Sequence, residues 1–448
     1  MERKVQDGAL DPDYSSSPVP MSARMSRGGL MMAYWSICSA MFWLVIAATL
    51  AINYGTVNAL IGLVLSVVVY AIINRVIVRY AIDTGLSVAL FSRALFGTVG
   101  ASLATLIFFA TAIYYAVFEG SVIAVAINAY FPSISVNMGY LIVVAYSVPL
   151  VFGGVQTWLD KFNGVLLPFY ILGLLAAVVA AYNSGPDHMS WLNLGPAGGA
   201  PAGGWWSCFT AFMGVWILML YTWDYARFGK SEDVEFHQSV NFGWVFYAFT
   251  FVINGVAGIF IANSLTAEGA VTEVSVVLAL LKLMGFAGLL FVWISQTRIN
   301  TANFYLASTN MQAFFRSTLN LNLPKFVWTI VVGAIVYALM LTNVFSFILK
   351  ALAYQGIFVV AWVGIALAHI GYSRGGAIRP EYRSDYLPSF SAPGLVAWFV
   401  SSALGILLME FGGDVASFSA PAAAIGSALI YWLFITRSGT RNFVGGSV

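Results

Sequence analysis

The sequence is short of charge. Only 8% of its 448 residues are Asp, Glu, Lys or Arg, against roughly 25% in a soluble domain. That deficit, with 60% hydrophobic residues, excludes a soluble globular chain and points to a polytopic membrane protein. At roughly 20 residues per span plus loops, the length allows about twelve helices and no large soluble domain. Cysteine is scarce too. Cys38 and Cys208 both lie in apolar runs, so buried thiols are expected and no disulfide framework. The three histidines, His188, His237 and His369, are scattered and suggest no metal cluster. There is no Gly-rich phosphate loop ending in Lys-Ser or Lys-Thr, and no nucleophile elbow. These absences argue against an enzyme and against an ATP-driven pump. No cofactor, metal or nucleic-acid partner is expected. The partners implied are a small-molecule substrate and the lipid bilayer.

What is present is a series of apolar runs, near 30–53, 57–78, 99–129, 137–157, 163–182, 205–224, 240–262, 278–304, 326–344, 346–371, 393–411 and 415–436. Each is long enough to cross a bilayer. Of the 20 Lys and Arg, all but Lys282, Arg298 and Lys350 fall in the segments that are cytoplasmic when the N-terminus is inside, or at the span ends beside them. The outside loops hold none. This satisfies the positive-inside rule and predicts twelve spans with both termini cytoplasmic, in the cell (inner) membrane. Residues 1–27 read as a disordered cytoplasmic tail, not a secretory signal. Residues 184–204, rich in Gly and Pro, read as an external connector between two five-helix units, 28–183 and 205–371. A cytoplasmic linker, 372–391, then leads to two further helices within 392–436 and a tail, 437–448. Such paired units are often inverted repeats with a site at their interface.

The chemistry concentrates in few places. In the long apolar run 101–127 the one charged residue is Glu119. A carboxylate in mid-bilayer costs roughly 2.5–3.5 kcal/mol on insertion scales and marks a functional site by default. Tyr115 lies four residues earlier on the same helical face. Together they offer a ring for stacking and a carboxylate for a proton or an N–H group. In the sixth span Gly214 permits a break or a close backbone approach, and Trp216 beside it offers a flat face. The stretch Trp293 to Tyr305 is too polar to face lipid. Its Asn300 and Asn303 share a helical face and suit a heterocycle edge, or serve as glue between helices. Arg298 is a fixed cation and needs a carboxylate or backbone carbonyls. Ser36 and Ser39 either line a cavity or bond back to their own helix. Between Met31 and Asn53 there is neither Gly nor Pro, so the composition predicts no break in the first span.

Three stretches carry a family resemblance. They are Thr84-Gly85-Leu86 followed by Ser92-Arg93-Ala94-Leu95-Phe96-Gly97, then Asp224-Tyr225-Ala226-Arg227-Phe228-Gly229-Lys230, and Asn300 to Tyr305. In this order the chain resembles the nucleobase–cation symporter-1 family, the cytosine, purine, allantoin and hydantoin permeases. The resemblance implies an all-α membrane protein with a leucine-transporter-type five-plus-five inverted repeat and two C-terminal helices. It places the family's third-span substrate contacts on Tyr115 and Glu119, the sixth-span Trp on Trp216, and the eighth-span Asn on Asn300 or Asn303. The first-span contact falls near Ser39. The eighth-span hydroxyls of sodium-coupled relatives fall near Thr297 and Arg298, where a guanidinium would occupy or repel a cation site. That favours a proton over sodium, with Glu119 as the proton's site.

The reading is thus a secondary transporter importing a nucleobase or related nitrogenous heterocycle by alternating access. The alternatives are a carrier of a cationic or vitamin-like compound with Glu119 as counter-ion, or a channel or sensor. The charge count gives a direct test of topology. A cysteine placed at Ala197 is expected to react with an impermeant maleimide from outside intact cells; reaction only from the cytoplasmic side contradicts the layout.

Overall fold

In a bilayer, long apolar runs satisfy their peptide groups internally by coiling into helices. The computed structural model, which describes residues 11–152, 158–184, 189–264, 272–342, 345–373 and 380–437, is all-α, with no strand among the described residues. The first span is a bent pair, α1 (Arg27–Tyr34) and α2 (Phe42–Tyr54), with a 3-10 turn at Ile37–Ser39 between them. There follow α3 (Thr56–Thr84), the short α4 (Val88–Phe96), α5 (Gly100–Tyr130), α6 (Val136–Leu150) and α7 (Asp160–Ser184). The sixth span is again a bent pair, α8 (Gly204–Met213) and α9 (Ile217–Ala226). The seventh, α10 (Ser231–Asn263), contains two π-helical turns. Then come α11 (Glu273–Met284), α12 (Phe286–Leu319), α13 (Lys325–Leu341), α14 (Phe345–Tyr372), α15 (Ala392–Phe411) and α16 (Ser419–Arg437).

The helix ends follow local chemistry. Ser26, Ser87 and Ser135 each accept a backbone N–H at the start of α1, α4 and α6, and Thr272 and Ser275 form a capping box on α11. Gly85, at φ 67°, ends α3 in the left-handed conformation. On α3 the exposed residues Val57, Ile61, Val64, Val68, Ile72 and Val76 recur at helical spacing, the stripe expected against lipid. By contrast α12 is buried on all sides from Ser295 to Ala313 and crosses α5 over their most extensive contact. The polar span therefore sits in the middle of the bundle.

Several expectations are modified. Among the described residues seven helices are long and apolar enough to cross a membrane, or nine if each bent pair is one span. The count of twelve is not reached on that measure, because α6 and α13 have 15 and 17 residues and the centre of α12 is polar. The expected run 278–304 is two helices, since Gly285 at φ 58° turns the chain between α11 and α12. Lys282 therefore lies on α11. The first span is broken despite having no Gly or Pro. Residues 11–26 are not a disordered tail: Asp11, Asp13, Ser15 and Val19 are buried against the bundle. Residues 1–10 and most of the C-terminal tail lie outside the described residues. Lys350 is exposed near Glu410, 3.9 Å away.

Helix α10 approaches α2 so closely that a Cβ on Gly258 would overlap the Leu44 backbone. Overpacking of this kind typically costs about 1–3 kcal/mol. Gly258→Val is expected to lower the apparent melting temperature of the purified protein, and an unchanged value contradicts this packing.

Candidate functional site

A helix broken within a bilayer must find new partners for its freed peptide groups. The first-span break, bent by 43°, finds them almost entirely in side chains. Trp35 O accepts from Arg298 Nη2 at 2.8 Å. Ile37 O accepts from Trp43 Nε1 at 2.9 Å. Cys38 O accepts from Asn254 Nδ2 at 2.7 Å, with Tyr170 Oη 3.4 Å away. Ser39 O accepts from Ser295 Oγ. The Met41 N–H donates to Gln296 Oε1 at 3.0 Å. Ser36 and Ser39 bond back to Ala33 O and Ser36 O at 2.9 and 2.6 Å, which closes the turn. Composition gave no sign of this break because, Trp43 apart, the residues that hold it open lie on α7, α10 and α12, far away in sequence.

The second break, also 43°, runs through Gly214, Val215 and Trp216. Gly214 has an ordinary helical φ of −59°. Close approach matters here: a Cβ on Gly356 of α14 would lie 2.8 Å from Gly214 O. A cavity of about 280 Å³ borders both glycines, together with Ser207 and Thr210.

Between the two breaks lies a smaller cavity of about 30 Å³, roughly the share of one water in the liquid. Of the residues expected at the site, Tyr115, Glu119 and Asn303 line it. Asn300 stands beside Asn303, whose Nδ2 donates to Asn300 Oδ1 at 3.4 Å, and Asn300 Nδ2 has no partner. Trp216 is buried at the second break with its Nε1 unpartnered, but its neighbours Val215 and Ile217 line the cavity and Trp216 does not. Gly214 and Ser39 serve the breaks. Thr297 faces α6, where its hydroxyl lies 2.7 Å from Tyr146 Oη. Arg298 is fully buried, binds Trp35 O and sits 5.6 Å over the Tyr170 ring. Backbone carbonyl, rather than carboxylate, is the partner the structure gives it.

Sequence reasoning missed four residues. Trp43 lines the cavity where Trp216 was expected. Gln296 accepts from Met41 N–H with one end and donates to Glu119 Oε2 with the other, so it joins the first break to the carboxylate. Tyr221 donates to Asn303 Oδ1 at 3.0 Å. It also lines a second cavity of about 10 Å³ that ends at Asp224 and Asn310, so it walls one from the other. Asn254, in the seventh apolar run, braces the first break through Cys38 O and accepts from Tyr170. Asp224, at the end of the sixth apolar run, is 2% exposed and accepts the Val88 N–H at 2.8 Å.

This arrangement of a carboxylate and amides between two broken helices occurs on a known scaffold. The chain superimposes on Mhp1, described as a nucleobase-cation-symport-1 family transporter, in a closed conformation with bromovinylhydantoin bound, at TM-score 0.77, 15% identity and 94% of each chain. Its fold is that of Mhp1. The inward-facing conformation of Mhp1 fits less closely, at TM-score 0.69, 15% identity, and 95% of this chain and 94% of that one. A Na+-coupled sialic acid symporter in an outward-open state matches at TM-score 0.62 and 12% identity, over 96% of this chain and 91% of that one. No family model and no curated protein matches the chain. These neighbours are transporters, not enzymes, and the likeness to them is one of fold.

If the carbonyls at the first break depend on side-chain donors, removing one should weaken the whole protein. Asn254→Leu strips the donor from Cys38 O and the acceptor from Tyr170, where an unmet buried group costs about 1–3 kcal/mol. A clear fall in apparent melting temperature is expected, with a smaller one for Thr297→Val; equal and negligible shifts contradict the bracing.

Proposed function

We propose that the chain is a secondary active transporter that imports a nucleobase or a related small nitrogenous heterocycle, driven by protons, by alternating access. One observation carries the reading. The cavity at the meeting point of two broken helices is lined by one carboxylate, one amide and aromatic rings, and little else that is polar. Glu119 accepts N–H groups, Asn303 both donates and accepts, and Tyr115 and Trp43 offer faces for a planar ring. At about 30 Å³ the cavity is too small for a heterocycle. Binding therefore widens it, which joins substrate entry to movement of the helices around it. The twelve-span layout with two five-helix repeats, and cytoplasmic termini in the cell membrane, belong to this proposal.

The choice of proton rests on what surrounds the first break. The positions to which the resemblance assigns a sodium site are already engaged: Thr297 with Tyr146, and Arg298 with the Trp35 carbonyl. A guanidinium keeps its charge and repels a second cation. Glu119, 1% exposed, is the carboxylate facing the cavity. It binds a proton or stays charged according to whether water reaches it. A second reading, in which Glu119 is the counter-ion of a cationic heterocycle, is favoured by the same carboxylate.

Two measurements separate these readings. Purified protein is screened by thermal shift against nucleobases, hydantoins, allantoin and small cationic amines, since a ligand raises the stability of the state it binds. Neutral heterocycles are expected to stabilise it; stabilisation by cations alone supports the counter-ion reading. Tyr115→Ala should weaken the stabilising ligand by up to about tenfold, since aromatic contacts are worth about 0.5–1.5 kcal/mol beyond area burial. Trp216→Ala should weaken it less.

In proteoliposomes, uptake should rise with an inward proton gradient and ignore replacement of sodium by choline. Glu119→Gln should abolish concentrative uptake and leave exchange. Sodium dependence with a flat pH profile contradicts proton coupling.

A further inference from the structure

The segment before the first span is held by an unusual set of contacts. Asp13 and Lys325, at the start of α13, form an ion pair whose two side chains are 1% and 2% exposed. Arg227, at the end of α9 and fully buried, donates to Asp13 O at 2.7 Å and Tyr14 O at 2.8 Å. Arg316, near the end of α12, lies 3.8 Å from Asp11 Oδ2. Ser87, between α3 and α4, donates to Ser15 O at 3.2 Å, and Val19 N–H donates to Gly85 O at 2.9 Å. The segment's own fold is tight. Asp11 caps the Ser15 and Ser16 N–H groups, and Tyr14 is held at φ 53°, a conformation rare outside glycine.

The receiving surface is basic. Lys325 Nζ rests 4.2 Å over the Tyr305 ring, and Arg227 has one carboxylate of the bundle near it, Asp224, at 3.8 Å. Three cations from three spans thus converge where the bundle itself supplies little negative charge. An ion pair buried this deeply is costly to half-break, because the remaining charge is left unpaired away from water. The segment is therefore either seated, or gone with water in its place. The second cavity, ending at Asp224, lies directly behind this contact. Seated, the segment pins the ends of α9 and α12 and the start of α13 to the α3–α4 corner.

We propose that these ends of the sixth, eighth and ninth spans form a binding site for an acidic peptide. Its occupant is the chain's own Asp11–Val19 segment, which plugs the inner side of the substrate path. Opening toward the cytoplasm requires the plug to leave. The inference rests on the transporter reading but on no particular substrate or coupling ion.

The test reads opening, not uptake, so it succeeds or fails separately from the substrate reading. Leu306, 2% exposed, lines the cavity behind the plug. Leu306→Cys is introduced into the full chain, and labelling by an impermeant maleimide is followed in inside-out vesicles. The chain without this cysteine is subtracted to remove Cys38 and Cys208. Adding Asp13→Asn should speed labelling by about tenfold or more, because the pair is buried and loses its charge partner. Deleting residues 2–16 should speed it at least as much, and keeps a reading if Asp13→Asn fails to fold. An added peptide spanning residues 11–19 should slow labelling of the deleted form again, and the same peptide with Asp13→Asn should not. Wild-type labelling rates in the deleted form overturn the plug. Protection by both peptides alike overturns the role of the Asp13–Lys325 pair.

Discussion

The structure depends on how the peptide groups of residues 35–41 are satisfied inside the bundle. A continuous helix would need no help there. The break exposes four carbonyls and an amide, and each is met by a named side chain: Arg298, Trp43, Asn254, Ser295 and Gln296. Four of these five come from other spans. A non-helical backbone at membrane depth is tolerated only when protein or a water-filled cavity surrounds it. So α12 has to be polar, has to be central, and has to cross α5, which carries Glu119. The most polar span and the most isolated carboxylate meet for one reason, and Gln296 is the residue that joins them.

The same constraint shapes the cation question. A broken helix with free carbonyls is a natural place for a small cation, and here a guanidinium takes Trp35 O instead. Arg298 is thus both a structural brace and a fixed charge beside the site. The carboxylate facing the cavity, Glu119, is joined to the first break through Gln296. At the ends of α9 and α12 and the start of α13 a second set of cations, Arg227, Arg316 and Lys325, is answered by the chain's own acidic segment. Buried positive charge thus stands in two places, beside the first break and against residues 11–19.

Much of this was legible in the sequence, and for identifiable reasons. Glu119 and Tyr115 stood out because a charge in an apolar run has few explanations, and both line the cavity. The eighth span announced its central position through its polarity. The register of its amides did not follow from spacing, since Asn300 and Asn303 share a face; contact with Tyr221 is what distinguishes Asn303. Three features stayed hidden. The first-span break is set mostly by partners on other spans, more than a hundred residues away. Trp43 is one aromatic among 14 Trp and gains its place only from the bend. Residues 11–26 read as disordered because they are polar and rich in Ser and Pro, and their partners are buried cations that sequence alone assigns to loops.

The central claim is that a substrate entering this cavity moves together with a proton held by Glu119. Charge movement across proteoliposomes on a solid-supported membrane tests it most directly, using whichever neutral heterocycle stabilises the purified protein. The account predicts a transient current of positive charge with the substrate, unchanged when choline replaces sodium, and absent in Glu119→Gln although the ligand still binds. A current that requires sodium, or one of undiminished size in Glu119→Gln, would contradict it.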